Sequence, residues 1–118
     1  MLLHYILGPN HLAIPVRDTM EWARWFEVND RTVAQEYVGH YMVSTIFLGL
    51  DHQWSPGGPP LLFETMIFNH AEWASHYYDE KYQDRCGTWD DAIDMHEEGV
   101  KHAIKLIRQL PVVIQGEV

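Results

Sequence analysis

The chain has little cysteine, few cations and no long apolar run. Its 118 residues include one cysteine, Cys86, which excludes an internal disulfide and any zinc site built from several cysteines. Eight Lys and Arg stand against 17 Asp and Glu, and this charge of −9 opposes nonspecific binding to duplex DNA or anionic membranes. The apolar start MLLHYILG is too short for a signal peptide or a membrane span. We therefore expect a cytoplasmic chain, with neither a membrane nor duplex nucleic acid as its partner.

The motifs of several common enzyme classes are also missing. The sequence contains no HExxH zinc motif and no GxSxG nucleophile motif. The Gly-Gly-Pro-Pro loop at 57–60 is followed by no Lys or Arg, so it is not a P-loop. The eight histidines show none of the spacings typical of metal sites. We predict no catalytic residue, no metal and no cofactor, and we favour a binding protein over an enzyme.

What the chain does contain is enough apolar material for one folded domain. Hydrophobic residues make up 47% of the sequence and aromatic residues 13%, which is ample for a compact core. No internal repeat, low-complexity tract or linker divides the chain. We predict a single domain over residues 1–118.

Two apolar runs joined by a Gly- and Pro-rich loop make Val43 to Phe68 the most informative segment. Both runs are dense in β-branched and aromatic residues and have the length of strands, so they predict a β-hairpin. Pairing Asp51 with Leu61 places one apolar set on each face: Ile46, Leu48, Leu50, Leu62, Met66 and Phe68 on the first, and Phe47, Leu61, Phe63 and Ile67 on the second. Both faces then need a cover. The long helix covers one, and either the short helix or a second copy of the chain covers the other; we favour the second copy, and thus a homo-oligomer.

Capping boxes predict where two helices begin. Asp18-Thr-Met-Glu21 opens a short helix, and Thr88-Trp-Asp-Asp91 opens a long one from roughly Trp89 to Leu110. A strand-like run from Thr32 leads into the hairpin, and a short strand is predicted near Lys81 to Cys86. The fold class is therefore α+β: an antiparallel β-meander of three to five strands packed against one long C-terminal helix, with a short N-terminal helix.

Glu64 is the strongest pointer to function, because it falls among the leucines of the first hairpin face. A carboxylate there is paired, protonated or facing a pocket. Three interpretations stay open: a structural bond to Arg85, Lys81 or the Trp89 indole, a contact to a ligand amine or hydroxyl, and a general base. We predict a pocket between the hairpin, the Arg85 strand and the long helix, with these ligand-binding residues: His52, Trp54, Glu64, Arg85, Trp89 and His96.

Four motifs together resemble a family of small proteins common in tailed-phage genomes and prophages. They are WARWFE (22–27), VSTIFLGLDH (43–52), GPPLLFETMIF (58–68) and GTWDDAIDMH (87–96), and the resemblance covers about residues 20–100. It implies a phage origin and a bacterial host cytosol, but no reaction. Small phage proteins of this kind often counter host defence. One recurring design is a compact α+β oligomer that sequesters a cyclic nucleotide signal, as the Thoeris anti-defence sponges do.

Three hypotheses about function follow. The first is a non-enzymatic protein that counters host defence by sequestering a small nucleotide-like ligand. The second is an acidic inhibitor that occupies the nucleic-acid groove of a host nuclease or defence complex, supported by the charge of −9. The third is a small nucleotide hydrolase that uses Glu64 and a histidine. We favour the first, because Glu64 has no obvious partner acid, nucleophile or metal.

Overall fold

The computed structural model describes residues 4–53, 57–70 and 77–109, and for 77–81 the backbone alone. The chain order is β1 (His4–Leu7), a 3₁₀ turn (Pro9–His11), β2 (Ala13–Val16), α1 (Thr19–Val28), β3 (Thr32–Val38), β4 (Tyr41–Phe47), β5 (Phe63–Asn69), β6 (Tyr77–Cys86) and α2 (Trp89–Gln109). The strands form an antiparallel pair, β1-β2, and a four-stranded antiparallel meander, β3-β4-β5-β6. The α+β prediction is confirmed.

Both helices begin where the capping boxes predict. The Asp18 carboxylate accepts from the backbone N–H groups of Met20 at 2.9 Å and Glu21 at 3.3 Å. The Thr88 hydroxyl accepts from the backbone N–H of Asp91 at 3.1 Å. The predicted end of α2 at Leu110 lies outside the described residues.

Helix α2 packs along one face of the meander. Its buried residues are Ala92, Met95, His96, Gly99 and Ala103. Gly99 lets the helix come close, because a Cβ there would lie 2.9 Å from a Thr65 methyl group and 3.0 Å from one of Val43. Ile93 of this helix is 37% exposed. The core between α2 and the sheet centres on Phe47, Phe63, Val43 and Ile67, all fully buried.

The predicted register of the central hairpin is wrong, because the observed pairing is shifted by two residues. Phe47 pairs with Phe63 and Ile46 pairs with Glu64, whereas pairing Asp51 with Leu61 puts Glu64 opposite Leu48. The strand ends early because Gly49 takes the left-handed conformation, with φ of +77°. Leu50 then turns away to bridge to His4 of β1. A shift of two residues keeps the side chains of the paired residues 41–47 and 63–69 on their predicted faces. Leu62, just before β5, does not keep its predicted face, because it is buried in the core with Phe47 and Phe63.

The N-terminal elements pack beside α2. Helix α1 lies against β1 and β2, and Trp25 meets Phe47 edge to face at 5.7 Å between ring centroids. Because Phe47 belongs to the α2 face, α1 and the small sheet extend the same core. The opposite face of the meander carries half-buried Met42, Ile46, Met66 and Phe68.

Candidate functional site

A cavity of about 460 Å³ lies where the small sheet, the hairpin loop and the start of α2 meet. Its walls come from the turn after β1, from Pro59 and Pro60 of the loop, and from the N-terminal end of α2. The described lining residues are Tyr5, Asn10, His11, Leu12, Ala13, Pro59, Pro60, Leu62, Phe63, Gly87, Thr88, Trp89 and Asp90. This volume is within the range of about 300–1,000 Å³ that is usual for small-molecule sites, and the wall is mainly apolar.

Trp89 forms the aromatic wall of this cavity, and His11 stacks on it. Their ring centroids lie 3.7 Å apart with planes 8° from parallel. Trp89 is held there as the first residue of α2, directly after the Thr88 cap. Fully buried Phe63 meets the indole nearly at right angles, at 6.2 Å and 84°. The indole is thus held by the core where it contacts Phe63, and the exposed imidazole of His11 covers one of its faces.

The backbone that carries His11 is unusual. Asn10 and His11 both have positive φ, 58° and 59°, a conformation that is uncommon outside glycine, although Asn and His adopt it more often than most other residues. The turn is closed by two backbone bonds, Leu12 N–H to the Pro9 carbonyl at 3.2 Å and Gly8 N–H to the Leu12 carbonyl at 2.8 Å. Such conformations cluster at ligand-binding sites in proteins.

Gly87 lets the opposite wall close onto the start of α2. A Cβ at this position would lie 2.7 Å from the Pro60 carbonyl oxygen, which is a clash with backbone. The Pro59 carbonyl also accepts from the side-chain amide of Gln53 at 3.1 Å, and Asp51 accepts from the backbone N–H of Leu61 at 3.1 Å. These hydrogen bonds and the close approach of Gly87 therefore hold the loop at 57–60 in place.

Among the predicted site residues, Trp89 lines the cavity and Glu64 does not. Glu64 is 8% exposed and lies on the sheet face away from α2. It accepts from the Arg85 guanidinium at 2.9 Å and from the Gln83 side chain at 3.0 Å. Of the three donors that the structural interpretation left open, Arg85 is the one that forms an ion pair with Glu64. The alternative donor, Trp89, packs on Phe63, which is next to Glu64 in the chain and points to the other face.

His96 belongs to a buried hydrogen-bond network at the centre of the α2 face. Its Nδ1 lies 2.7 Å from the Thr45 hydroxyl, which is 2.6 Å from the Thr65 hydroxyl, and its Nε2 lies 2.9 Å from Glu36 Oε1. The imidazole is 3% exposed, so it is satisfied on both nitrogens inside the core. Since Glu64 lies on the other sheet face, the two residues do not share a site.

The remaining predicted residues lie elsewhere. The backbone N–H of His52 donates to the Leu61 carbonyl at 3.1 Å, and His52 is not among the described residues that line the cavity. Arg85 forms an ion pair with Glu64. Trp54 lies outside the described residues. The six predicted residues therefore do not form one site: Glu64 and His96 bond on opposite sheet faces, and the observed cavity shares Trp89 with the predicted set and lies toward β1 and β2.

Partial burial makes the thiol of Cys86 a weak acid. Desolvation raises the pKa of Cys86 to about 11, and the nearby carboxylates of Asp91 and Asp84 act in the same direction. The thiol donates weakly to the Thr88 carbonyl at 3.6 Å. Because the thiolate is the nucleophilic form, Cys86 is not suited to covalent catalysis near neutral pH.

Sequence reasoning missed the part of the cavity that comes from the N-terminal segment. Tyr5, Asn10 and His11 line it, and burial followed by the charge of Asp51 raises the pKa of the Tyr5 phenol. The sequence signal for this wall is Gly8-Pro9-Asn10, a run of turn-forming residues that does not reveal what the turn faces. Asp90 was also missed, because it reads as an ordinary first-turn acid of α2.

Comparison with other proteins adds no name to the site: no family model, no curated protein and no solved structure matches the chain. Within the described ranges, no helix is long and apolar enough to cross a membrane. In the same part of the chain, no group of three or more His, Cys, Asp or Glu side chains is placed to hold a metal ion.

Proposed function

We propose that this chain is a non-enzymatic binding protein for a small nucleotide-like ligand, whose ring is held in the cavity at Trp89. The parallel stack of His11 on Trp89 carries this proposal, because it marks an indole face that accepts a planar ring at 3.7 Å. The cavity of about 460 Å³ supplies the room for such a ligand.

Binding is a better account of this site than catalysis. The hydrolase hypothesis requires Glu64 near a histidine, but Glu64 is bonded to Arg85 on one sheet face and His96 is buried on the other. The hydroxyls of Thr45 and Thr65 are fully buried and bonded to each other, so neither is accessible as a nucleophile.

The biological setting of the proposal comes from the resemblance to phage proteins. We place the chain in a phage or prophage and its site of action in the bacterial host cytosol. There it counters host defence by sequestering a small nucleotide signal. The motifs at 43–52 and 58–68, which carry this resemblance, form the central hairpin, and Pro59 and Pro60 of the second motif line the cavity.

A homo-oligomer is part of the same proposal. The sheet face away from α2 carries half-buried Met42, Ile46, Met66 and Phe68, and Tyr37 beside them is 65% exposed. The charge of Glu64 on this face is neutralised by Arg85 at 2.9 Å. Glu64 therefore adds no unpaired charge to a contact between two copies through this face, although each copy carries a net charge of −9.

One observation keeps the acidic inhibitor as a second candidate. The first half of α2 exposes a row of carboxylates: Asp90, Asp91, Asp94, Glu97 and Glu98. Such a row resembles a line of phosphates to a nucleic-acid-binding groove. Capture of a host nuclease or defence protein that is released as salt rises from about 0.1 M to 1 M would favour this candidate.

Mass spectrometry of small molecules released by denaturing the purified protein tests the main proposal. The expected result is a nucleotide-like compound in an amount comparable to the protein, released unchanged after incubation with the native chain. Conversion of that compound during incubation would make the protein an enzyme and overturn the proposal.

A further inference from the structure

The charged side chains around the cavity indicate which part of a nucleotide-like ligand the cavity binds. Among the described lining residues, the ionisable side chains are those of Tyr5, His11 and Asp90, and there is no Lys or Arg. Phosphate sites in proteins rely on Arg and Lys for their charge-assisted bonds. A phosphate inside this cavity would have the Asp90 carboxylate as its charged neighbour.

The N-terminus of α2 does not correct this charge. Helix N-termini attract anions through free amides and the helix dipole. Here the first turn carries two acids, Asp90 and Asp91, and the Asp91 amide is already bonded to the Thr88 hydroxyl at 3.1 Å. The partial positive charge at the N-terminus of α2 is thus offset by the carboxylates of Asp90 and Asp91.

The place for a ring is defined by His11. Its imidazole lies parallel to Trp89 with the ring centroids 3.7 Å apart, so it covers an indole face on which a base can stack. His11 is exposed, whereas Phe63, the second described residue whose ring contacts Trp89, is fully buried. A ring that enters from solvent therefore meets Trp89 where His11 lies, and His11 is the side chain that is free to leave.

The geometry points to a ligand moiety that is a planar, uncharged or cationic ring without phosphate, which displaces the imidazole of His11 from Trp89 while Asp90 accepts from an amine or hydroxyl of the ligand. This inference rests on the proposed function and narrows it to the base or nucleoside part. Any phosphate of the ligand then stays in solvent, where the charge of the chain opposes it.

Calorimetric titration of the full chain with two nucleoside and nucleotide pairs tests the inference: adenosine with AMP, and guanosine with GMP. Ribose 5-phosphate serves as the probe that has a phosphate but no ring. We expect at least one nucleoside to bind, its monophosphate to bind more weakly, and ribose 5-phosphate not to bind. In Asp90→Asn the difference between nucleoside and monophosphate shrinks.

Two substitutions at His11 test the displacement. His11→Gly removes the ring and suits the φ of +59°, so the fold is retained and the nucleoside binds about three- to tenfold more tightly. His11→Phe keeps a competing ring and gives no such gain. Weaker nucleoside binding in His11→Gly would overturn the displacement, because His11 would then belong to the site.

Two further outcomes separate this inference from the proposed function. Tighter binding of AMP or GMP than of the nucleosides would overturn the inference that the cavity binds a ring without phosphate. The proposed binding function would still stand. No binding of either nucleoside to the native chain or to His11→Gly would overturn the inference, and the compound released from the purified protein would still decide the proposed function.

Discussion

At the scale of single residues, Glu64 illustrates how a suspicious side chain acquires a structural explanation. A carboxylate that is 8% exposed on a sheet needs donors, and Arg85 and Gln83 on the neighbouring strand supply them at 2.9 and 3.0 Å. The pair is cross-strand and on the face away from the cavity. Its contribution is therefore to the sheet and not to the ligand.

Glu64→Gln tests this assignment. We expect the free energy of unfolding to fall by about 1–3 kcal/mol, because the Arg85 guanidinium loses its ionic partner in a mostly buried position. Ligand affinity should stay unchanged. Chemical denaturation and titration on the same variant measure both quantities.

Glu98→Gln is the matched control, since Glu98 pairs with Lys101 at 3.2 Å on the helix surface, where both side chains are about two-thirds exposed (65% and 66%). Its loss should cost less than about 0.5 kcal/mol. Equal stability losses in the two variants would show that Glu64 behaves as a surface carboxylate.

Cys86 gives a second prediction at this scale. Because burial raises the pKa of its thiol to about 11, iodoacetamide should alkylate the native protein at pH 8 at least about tenfold more slowly than the denatured protein. The native rate should keep rising with pH up to about 11, as the thiolate forms. A native rate that levels off near pH 9 would mean an ordinary thiol.

At the scale of elements, the approach of α2 to the sheet depends on Gly99. Gly99→Ala should destabilise the protein by about 1–3 kcal/mol, although alanine favours helix by about 1 kcal/mol, because its Cβ would lie 2.9 Å from a Thr65 methyl group. Thermal or chemical unfolding measures the change.

The second substitution Thr65→Ser removes the methyl group that the new Cβ meets, and keeps the hydroxyl bonded to Thr45. It should restore part of the stability of Gly99→Ala. Glu97→Ala, at an exposed position of the same helix, should have little effect. A stabilised Gly99→Ala would contradict the close packing described here.

Much of the fold was predictable because its signals are local. The Asp18 and Thr88 caps define the helix starts, and the apolar runs around Phe47 and Phe63 define strands and faces. The register was not predictable, because Gly49 ends β4 by turning the chain toward β1, a tertiary pairing. The cavity also depends on this tertiary contact between β1 and the chain after β4. The sequence therefore predicted Trp89 as a site residue but not His11, the residue that stacks on it.

At the scale of the whole molecule, the proposed oligomer gives the next prediction. Light scattering of the native protein at micromolar concentration should give at least twice the chain mass of 13.8 kDa, most simply a dimer. Phe68→Lys puts a charge on the half-buried face away from α2 and should shift the mass to that of one chain.

Val28→Lys is the control for this shift, because Val28 is 79% exposed on α1 and lies outside that face. It should leave the oligomer intact. A native mass near 13.8 kDa would overturn the oligomer, and the cavity, which is built within one chain, would be unaffected.

The central claim is that the cavity at Trp89 holds the ring of a small ligand, and ligand retention by Trp89→Leu tests it most directly. Leucine keeps an apolar side chain but removes the stacking face, worth about 1–3 kcal/mol per stacked base. Tyr37→Leu, at an aromatic position that is 65% exposed and outside the cavity, is the matched control. Mass spectrometry should find the released compound with the native chain and Tyr37→Leu, and at least fivefold less of it with folded Trp89→Leu. Equal amounts from all three proteins, or none from the native chain, would contradict the account.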